Sequence, residues 1–181
     1  MRPIFTVHAG EYLVGSHFEK NYRNINVWVP SKDTGTDILL SSNDNRKTVS
    51  IQVKYSKDFL ITHLGSHFQK QLKSFGWWTL KQSKIRASKS DYWVFALHSF
   101  NGKNIEYVII KPADLLARLK KLHGNSDTVQ MYLWITKGKK CWETRGLNKP
   151  EQEAIAKDTY SNAERDFTQY LNDWDSITKN L

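Results

Sequence analysis

The feature that most constrains the fold of this chain is a strict alternation of apolar and polar side chains over residues 48–55. Successive side chains of a β-strand point to opposite faces, so this pattern predicts a strand with one buried face. The polar face of this strand carries Gln52 and Lys54. Two shorter apolar segments, 25–29 and 37–41, precede it and are bounded by turn-forming residues. Together the three segments predict a β-meander.

The remaining segments predict a mixed α/β domain with the order α-βββ-α-ββ-α-ββ-α around one sheet. Apolar residues at helical spacing, and a proline and a glycine that bracket one segment, indicate the helices. Helices are expected over residues 7–22, 60–75, 113–122 and 150–174. Further strands are expected over residues 92–97, 106–110, 129–136 and 141–144. The last helix carries an acidic face.

Positive charge is concentrated in the first 149 residues. The chain has 27 basic and 18 acidic side chains, a net charge of +9, while residues 150–181 alone carry −4. Residues 54–89 contain eight basic side chains and one acidic side chain, interleaved with aromatic rings. Such a stretch can neutralise phosphates and stack on bases, which indicates a nucleic-acid partner; the alternative is a solvated lysine face over buried rings. Of the adjacent Trp77 and Trp78, at least one is expected in the core.

Length, cysteine content and hydropathy limit the class of protein. We expect a core domain over residues 1–149 and an appendage over 150–181 that packs on the core or at an oligomer interface. The single cysteine, Cys141, excludes an intrachain disulfide framework and a cysteine-rich zinc module. No apolar run is long enough for a membrane span, and the N-terminal residues lack the apolar core of a signal peptide. The expected location is therefore the cytoplasm, with no membrane partner.

Four residues with metal and phosphate chemistry are predicted to meet at one end of the meander. Asp37 begins the second strand, and antiparallel pairing places it opposite Gln52 and Lys54 on the third. Glu11, in the first helix, can pack over the same end. Carboxylate, amide and carbonyl oxygens suit Mg²⁺, so Asp37, Glu11, Gln52 and the backbone carbonyl of Val53 are the predicted ligands. Lys54 would position the attacking water and offset charge in the transition state.

Each of these residues also has a purely structural explanation. Asp37 could cap a turn, and Lys54 could be an exposed lysine on an edge strand. Glu11 could interact with the dipole of the first helix. It is the combination of residue types, spacing and strand phase that favours a site for phosphodiester hydrolysis.

The sequence Gly-Thr-Asp-Ile at 35–38, followed by Ile-Gln-Val-Lys at 51–54, resembles the PD-(D/E)XK nuclease superfamily. This superfamily includes restriction endonucleases, Holliday-junction resolvases and DNA-repair nucleases. Asp37 matches the motif aspartate and Lys54 the motif lysine. Glu11 matches the first-helix glutamate of many members. Gln52 stands where the family usually has a carboxylate; it can still bind metal through oxygen but brings no negative charge.

The resemblance implies a restriction-endonuclease-like fold with an αβββαβ core, and a Mg²⁺-dependent endodeoxyribonuclease in which Mn²⁺ can substitute. We expect a type II restriction endonuclease or a subunit of one, acting on double-stranded DNA as a homodimer or with a partner subunit. A Holliday-junction resolvase or repair nuclease remains open, as do a catalytically inactive DNA-binding module with this fold and an RNA-binding domain. Candidate DNA-binding residues near the site are Lys32, Lys57, Lys84, Arg86 and Lys89.

Overall fold

The computed structural model describes residues 9–31, 35–56, 70–98 and 104–181. The strands are β1 (Ile25–Trp28), β2 (Ile38–Ser42), β3 (Thr48–Tyr55), β4 (Leu72–Lys81), β5 (Tyr92–His98), β6 (Ile105–Ile110), β7 (Thr128–Thr136) and β8 (Cys141–Glu143). The helices are α1 (Ala9–Asn21), α2 (Gln82–Arg86), α3 (Pro112–His123), α4 (Lys149–Ala156) and α5 (Asp175–Thr178), with a 3-10 turn at Thr168–Tyr170. The predicted mixed α/β class is confirmed.

The described strands form two sheets where the sequence predicted one. A mixed five-stranded sheet has the order β1-β2-β3-β5-β6, and an antiparallel three-stranded sheet has the order β4-β7-β8. In the larger sheet β3 pairs antiparallel with β2 and parallel with β5. Ile38, the first residue of β2, lies opposite Ile51, so residues 52–55 of β3 extend beyond that end of β2. On the other side, β3 stays paired with β5 as far as Tyr55.

Each face of the larger sheet is covered by a different layer. On the first face, Ile51 and Val53 of β3 pack with Val14 and Phe18 of α1 and with Trp174 near the end of the chain. On the second face, Trp93, Phe95 and Leu97 of β5 pack against residues of β4, β7 and α3. The alternation along β3 therefore sorts its side chains as predicted, with the apolar set under α1 and Gln52 and Lys54 on the face of Trp93.

The helix predicted over residues 60–75 extends too far: Lys70 and Gln71 are helical, but the residues after them are not. Residues 57–69 lie outside the described part of the chain, and Leu72 to Phe75 belong to strand β4. Helical spacing of Leu72 and Phe75 suggested one apolar stripe, but both faces of β4 bear apolar residues, so no period-2 signal marks the strand. This strand pairs along its whole length with β7, which creates the second sheet.

The long acidic helix predicted over residues 150–174 is also wrong, because α4 ends at Ala156. Asp158 adopts a left-handed backbone conformation with φ 57°, and its carboxylate accepts a hydrogen bond of 2.6 Å from the Thr136 hydroxyl. That bond to β7 turns the chain away from the helix axis. The following segment then buries Phe167 and Trp174 in the two main core clusters.

The other predicted elements are confirmed to within one or two residues over the part of the chain that the structure describes. In that part, no helix has the length and apolar character to cross a bilayer. Cys141 is a buried free cysteine on β8, and burial raises the pKa of its thiol, so it lacks the thiolate character of a catalytic nucleophile.

Candidate active site

The candidate site is built where β2 ends and β3 continues. The backbone N–H of Asp37 donates to the carbonyl of Ile51 at 2.9 Å, and Oδ2 of Asp37 accepts from the backbone N–H of Val53 at 2.7 Å. The side chain of Asp37 thus accepts the hydrogen bond from Val53 that a backbone carbonyl would accept if β2 were longer. Asp37 is half-buried. The structure therefore holds a carboxylate against the backbone between Gln52 and Lys54.

Gln52 and Lys54 flank that contact on the second face of the sheet, and both are half-buried. Gln52 lies opposite Trp93 in the parallel pairing with β5. The ammonium nitrogen of Lys54 lies 5.2 Å from the centroid of the Trp93 ring, within the range of a cation–π contact. This contact orients the lysine along the face that carries Gln52.

Glu11 approaches the same end of β3 from the first face of the sheet. It lies in the first turn of α1, next to Gly10. A Cβ atom on Gly10 would lie 2.7 Å from Cβ of Tyr55 and 3.1 Å from Cγ1 of Val53, so the helix touches β3 there. Glu11 is thus based beside the end of β3, across the sheet from Lys54.

Two serines between α2 and β5 fix the loop in front of the site. The hydroxyl of Ser90 donates to the carbonyl of Gly35 at 2.9 Å and lies 3.3 Å from the Thr36 hydroxyl. The hydroxyl of Ser88 accepts from the indole N–H of Trp93 at 2.9 Å. The residues leading into Asp37 and the ring under Lys54 are therefore tied to one short segment.

That segment also carries the described candidates for DNA binding. Lys84 and Arg86 are exposed on α2, and Lys89 is exposed between the two serines. The hydrogen bonds of Ser83 hold the pKa of Asp127 below its usual range, and the charges of Lys81 and Arg86 add to this effect. The remaining candidates, Lys32 and Lys57, lie outside the described residues.

The oxygen donors of the candidate site suit a small divalent cation better than a cluster of acidic, His or Cys ligands would suggest. Within residues 9–31, 35–56, 70–98 and 104–181, no group of three or more His, Cys, Asp and Glu side chains could hold a metal ion. The predicted set differs in kind: two carboxylates, one amide oxygen and one backbone carbonyl. Mg²⁺ is commonly held by one or two carboxylates together with water and substrate phosphates, so the chemistry of this set fits Mg²⁺.

Sequence reasoning missed three residues that support the site: Trp93, Ser90 and Asp91. Asp91 accepts from the backbone N–H of Ser50 at 2.7 Å and so holds the start of β5 against β3. The alternation of β3 marks which of its side chains share a face, but it carries no information on the register of a parallel partner. The apolar run 92–97 signalled a strand without showing that Trp93 would lie beside Gln52.

Comparison of the chain with family models, with curated proteins and with solved structures found no match.

Proposed function

We propose that this chain is a metal-dependent DNA endonuclease of the restriction type, acting on double-stranded DNA. The observation that carries the proposal is the position of the Asp37 carboxylate, 2.7 Å from the backbone of Val53 and between Gln52 and Lys54 in the ladder. Phosphodiester hydrolysis needs a carboxylate for the metal, a second oxygen ligand and a cation. Here the carboxylate is an aspartate at the end of one strand, and the other two groups lie on the next strand.

The order of elements supports a restriction-endonuclease-like core in part. Helix α1 and strands β1, β2 and β3 correspond to the αβββ portion, and β5 follows parallel to β3. The helix expected between β3 and β5 falls partly on residues 57–69, outside the described chain, and β4 takes the positions after it. The proposed fold therefore depends on β1, β2 and β3 and on β5, which pairs parallel with β3.

The residues of the site divide the chemical work. Asp37, the amide oxygen of Gln52 and the carbonyl of Val53 would hold Mg²⁺, or Mn²⁺ in its place, and Glu11 would complete the set from α1 past the end of β2, where β3 has no partner on that side. The bound cation would supply Lewis acidity at the scissile phosphate and lower the pKa of a coordinated water. Lys54 would hold that water by a hydrogen bond and offset the negative charge that grows on the phosphate oxygens. The cations Lys84, Arg86 and Lys89 would bind backbone phosphates beside the site.

A DNA-binding module without catalysis is the second candidate. It is favoured by one observation: the family's usual second carboxylate is Gln52 here, which leaves Asp37 as the acidic residue on that face of the β2–β3 junction. Such a module would keep the exposed cations of the α2–β5 segment. It would bind duplex DNA with an affinity that falls steeply as salt rises.

Incubation of supercoiled plasmid and of branched DNA with the purified chain separates the two candidates. The endonuclease converts plasmid to nicked and linear forms with Mg²⁺ or Mn²⁺, and EDTA stops the reaction. Binding without cleavage of either substrate, under both metals, would assign the inactive module instead. A digest of long mixed-sequence DNA then gives discrete fragments from a restriction enzyme and a smear from a nonspecific nuclease.

A further inference from the structure

The outer face of the three-stranded sheet carries a row of aromatic rings that the proposed cleavage site does not use. Phe75 and Trp77 of β4 and Tyr132 and Trp134 of β7 share this face. Phe75 meets Tyr132 and Trp134 in edge-to-face contacts, and Trp77 meets Tyr132 with ring centroids 6.4 Å apart. The row runs from buried rings at one end to an open end at Trp77.

One end of the row is covered and the other is exposed. Phe75 and Trp134 pack with Leu147 and Ile155, so α4 and the segment before it cover that end. The side chain of Trp77 is 38% exposed, whereas the neighbouring Trp78 is 7% exposed and lies in the core. The expectation that at least one of the two tryptophans is buried is thus confirmed. Trp77 exposes its indole to solvent, and the ring of Tyr132 on the neighbouring strand packs against it.

A cation accompanies the exposed ring. The guanidinium of Arg145 lies 5.4 Å from the centroid of Tyr132, and the Arg145 side chain is exposed. Among the residues that the structure describes, no carboxylate forms an ion pair with Arg145. An indole for stacking beside a cation for phosphate is the combination by which proteins bind single-stranded nucleic acid.

The strand that carries Trp77 contacts the end of the candidate active site through its backbone. The backbone N–H of Trp77 donates to the Ser56 hydroxyl at 3.3 Å, and Ser56 follows β3 two residues after Lys54. Two residues of extended chain span about 7 Å. Because the Trp77 side chain points away from the larger sheet, a DNA strand would pass around β4, the edge strand of its sheet, between Lys54 and this ring. The net charge of +13 on residues 1–149 favours a polyanion over an acidic or neutral protein.

We infer that the Trp77–Tyr132–Arg145 face binds single-stranded DNA, with one base stacked on Trp77 and a neighbouring phosphate on Arg145. The inference extends the proposed function, since it assigns the chain a substrate with an unpaired strand next to the cleavage point. The binding itself requires no cleavage and can be measured separately.

The test is fluorescence anisotropy with labelled oligothymidylate and the full chain, carrying Asp37→Asn and kept in EDTA so that cleavage is suppressed. Trp77→Ala should weaken oligothymidylate binding about tenfold, because the stacking surface is lost. Trp77→Phe should restore most of the affinity, and Thr79→Ala, exposed on the same strand and face, should leave it unchanged. Affinity for a blunt duplex should change by less than about twofold in all three variants.

Equal affinity of Trp77→Ala and its parent for oligothymidylate would overturn the inference, as would an equal loss of duplex binding. Tighter binding of oligouridylate than oligothymidylate would overturn the assignment to DNA. Plasmid cleavage by the native chain decides the proposed function independently. If Trp77→Ala loses only single-strand binding while the native chain cuts no DNA, the single-strand face stands and the nuclease fails. If the native chain cuts DNA but Trp77→Ala binds oligothymidylate normally, the nuclease stands and the single-strand face fails.

Discussion

Asp37 and Asp91 each accept a backbone N–H of β3 at 2.7 Å, Asp37 from Val53 and Asp91 from Ser50. The two carboxylates therefore make similar structural bonds to one strand, but only Asp37 belongs to the proposed metal site. Asparagine at either position keeps an acceptor oxygen and loses the charge. Comparing the asparagine variants of the two residues therefore distinguishes a catalytic role of Asp37 from a role in holding β3 in place.

We predict that Asp37→Asn lowers the rate of plasmid cleavage by about a hundredfold or more, because the metal loses a charged ligand. Asp91→Asn should leave the rate within about threefold of the native value. Both variants should lose similar, small amounts of stability in urea unfolding. If the two variants lost cleavage equally, Asp37 would have only the structural role that Asp91 has.

Replacement of Lys54 by methionine should abolish cleavage while duplex binding survives. The methionine keeps an apolar chain against Trp93 but removes the ammonium that offsets charge in the transition state. Single-turnover rates at saturating enzyme measure this step, and anisotropy with duplex measures binding. Lys121→Met, an exposed lysine on α3, is the control and should cleave normally. A Lys54→Met enzyme with native turnover would exclude this lysine from the chemistry.

Two glycines of α1 should respond in opposite ways to alanine. A Cβ on Gly10 would lie 2.7 Å from Cβ of Tyr55, too close for van der Waals contact, whereas on Gly15 its nearest neighbour would be Cγ1 of Val27 at 3.6 Å. Gly10→Ala should lower the free energy of unfolding by about 1–3 kcal/mol and slow cleavage, because α1 must move off β3. Gly15→Ala should raise it by about 0.5–1 kcal/mol through helix propensity. Thermal or urea unfolding of both variants checks the difference in sign.

Arg165 should be needed for stability. Its Nη1 lies 2.6 Å from Oε2 of Glu143, whose side chain is 0% exposed. Arg165→Met therefore removes the guanidinium from a buried carboxylate and leaves it with His123 and two backbone N–H groups. We expect a loss of about 3–5 kcal/mol in urea unfolding. Arg46→Met is the control: it breaks a 3.7 Å pair with Asp44 in which the side chains are 86% and 59% exposed. That change should cost less than about 1 kcal/mol, and a comparable cost in both variants would contradict the burial argument.

The stability of the fold should decrease in mild acid because of His17. Its ring stacks on Trp174 at a centroid distance of 4.2 Å, and burial lowers its pKa from the ordinary value of 6.5. Well above pH 6.5 the imidazole is neutral in both states, so its contribution to stability is fully present. Below that pH the unfolded chain binds the proton first, and the free energy of unfolding decreases as the pH falls.

The expected result is a smaller loss of stability between pH 7 and pH 5.5 in His17→Gln than in the native chain. Urea unfolding at both pH values gives the two differences. The comparison between variants removes the effect of carboxylates that titrate in the same range. An unchanged difference would show that His17 is not the group responsible.

The first three strands and their faces could be predicted because their periodicity is local. Val53 and Lys54 are assigned to opposite faces by alternation alone, and antiparallel hairpin pairing then places Asp37 near them. The support for the site could not be predicted in the same way. Trp93 reaches Lys54 through a parallel pairing, and the register of such a pairing depends on the packing of both sheets.

The errors have the same origin in tertiary contacts. Leu72 and Phe75 have the spacing of one face of a helix, yet pairing with β7 places both of them in strand β4. The tail has helical spacing beyond Ala156, yet the bond from Thr136 to Asp158 turns the chain. In both places a distant partner on β7 decides the local conformation.

The stacking of His17 on Trp174 has a consequence for the order of folding. Helix α1 is among the first elements of the sequence, but its buried face is completed by residues near the other end. A contact between such distant residues carries a large loop-closure entropy and forms slowly. The His17–Trp174 stack is therefore expected to form after the contacts of α1 with Val53 and Tyr55, which are much closer in sequence, so the end of the chain would close over a helix that already lies on the sheet.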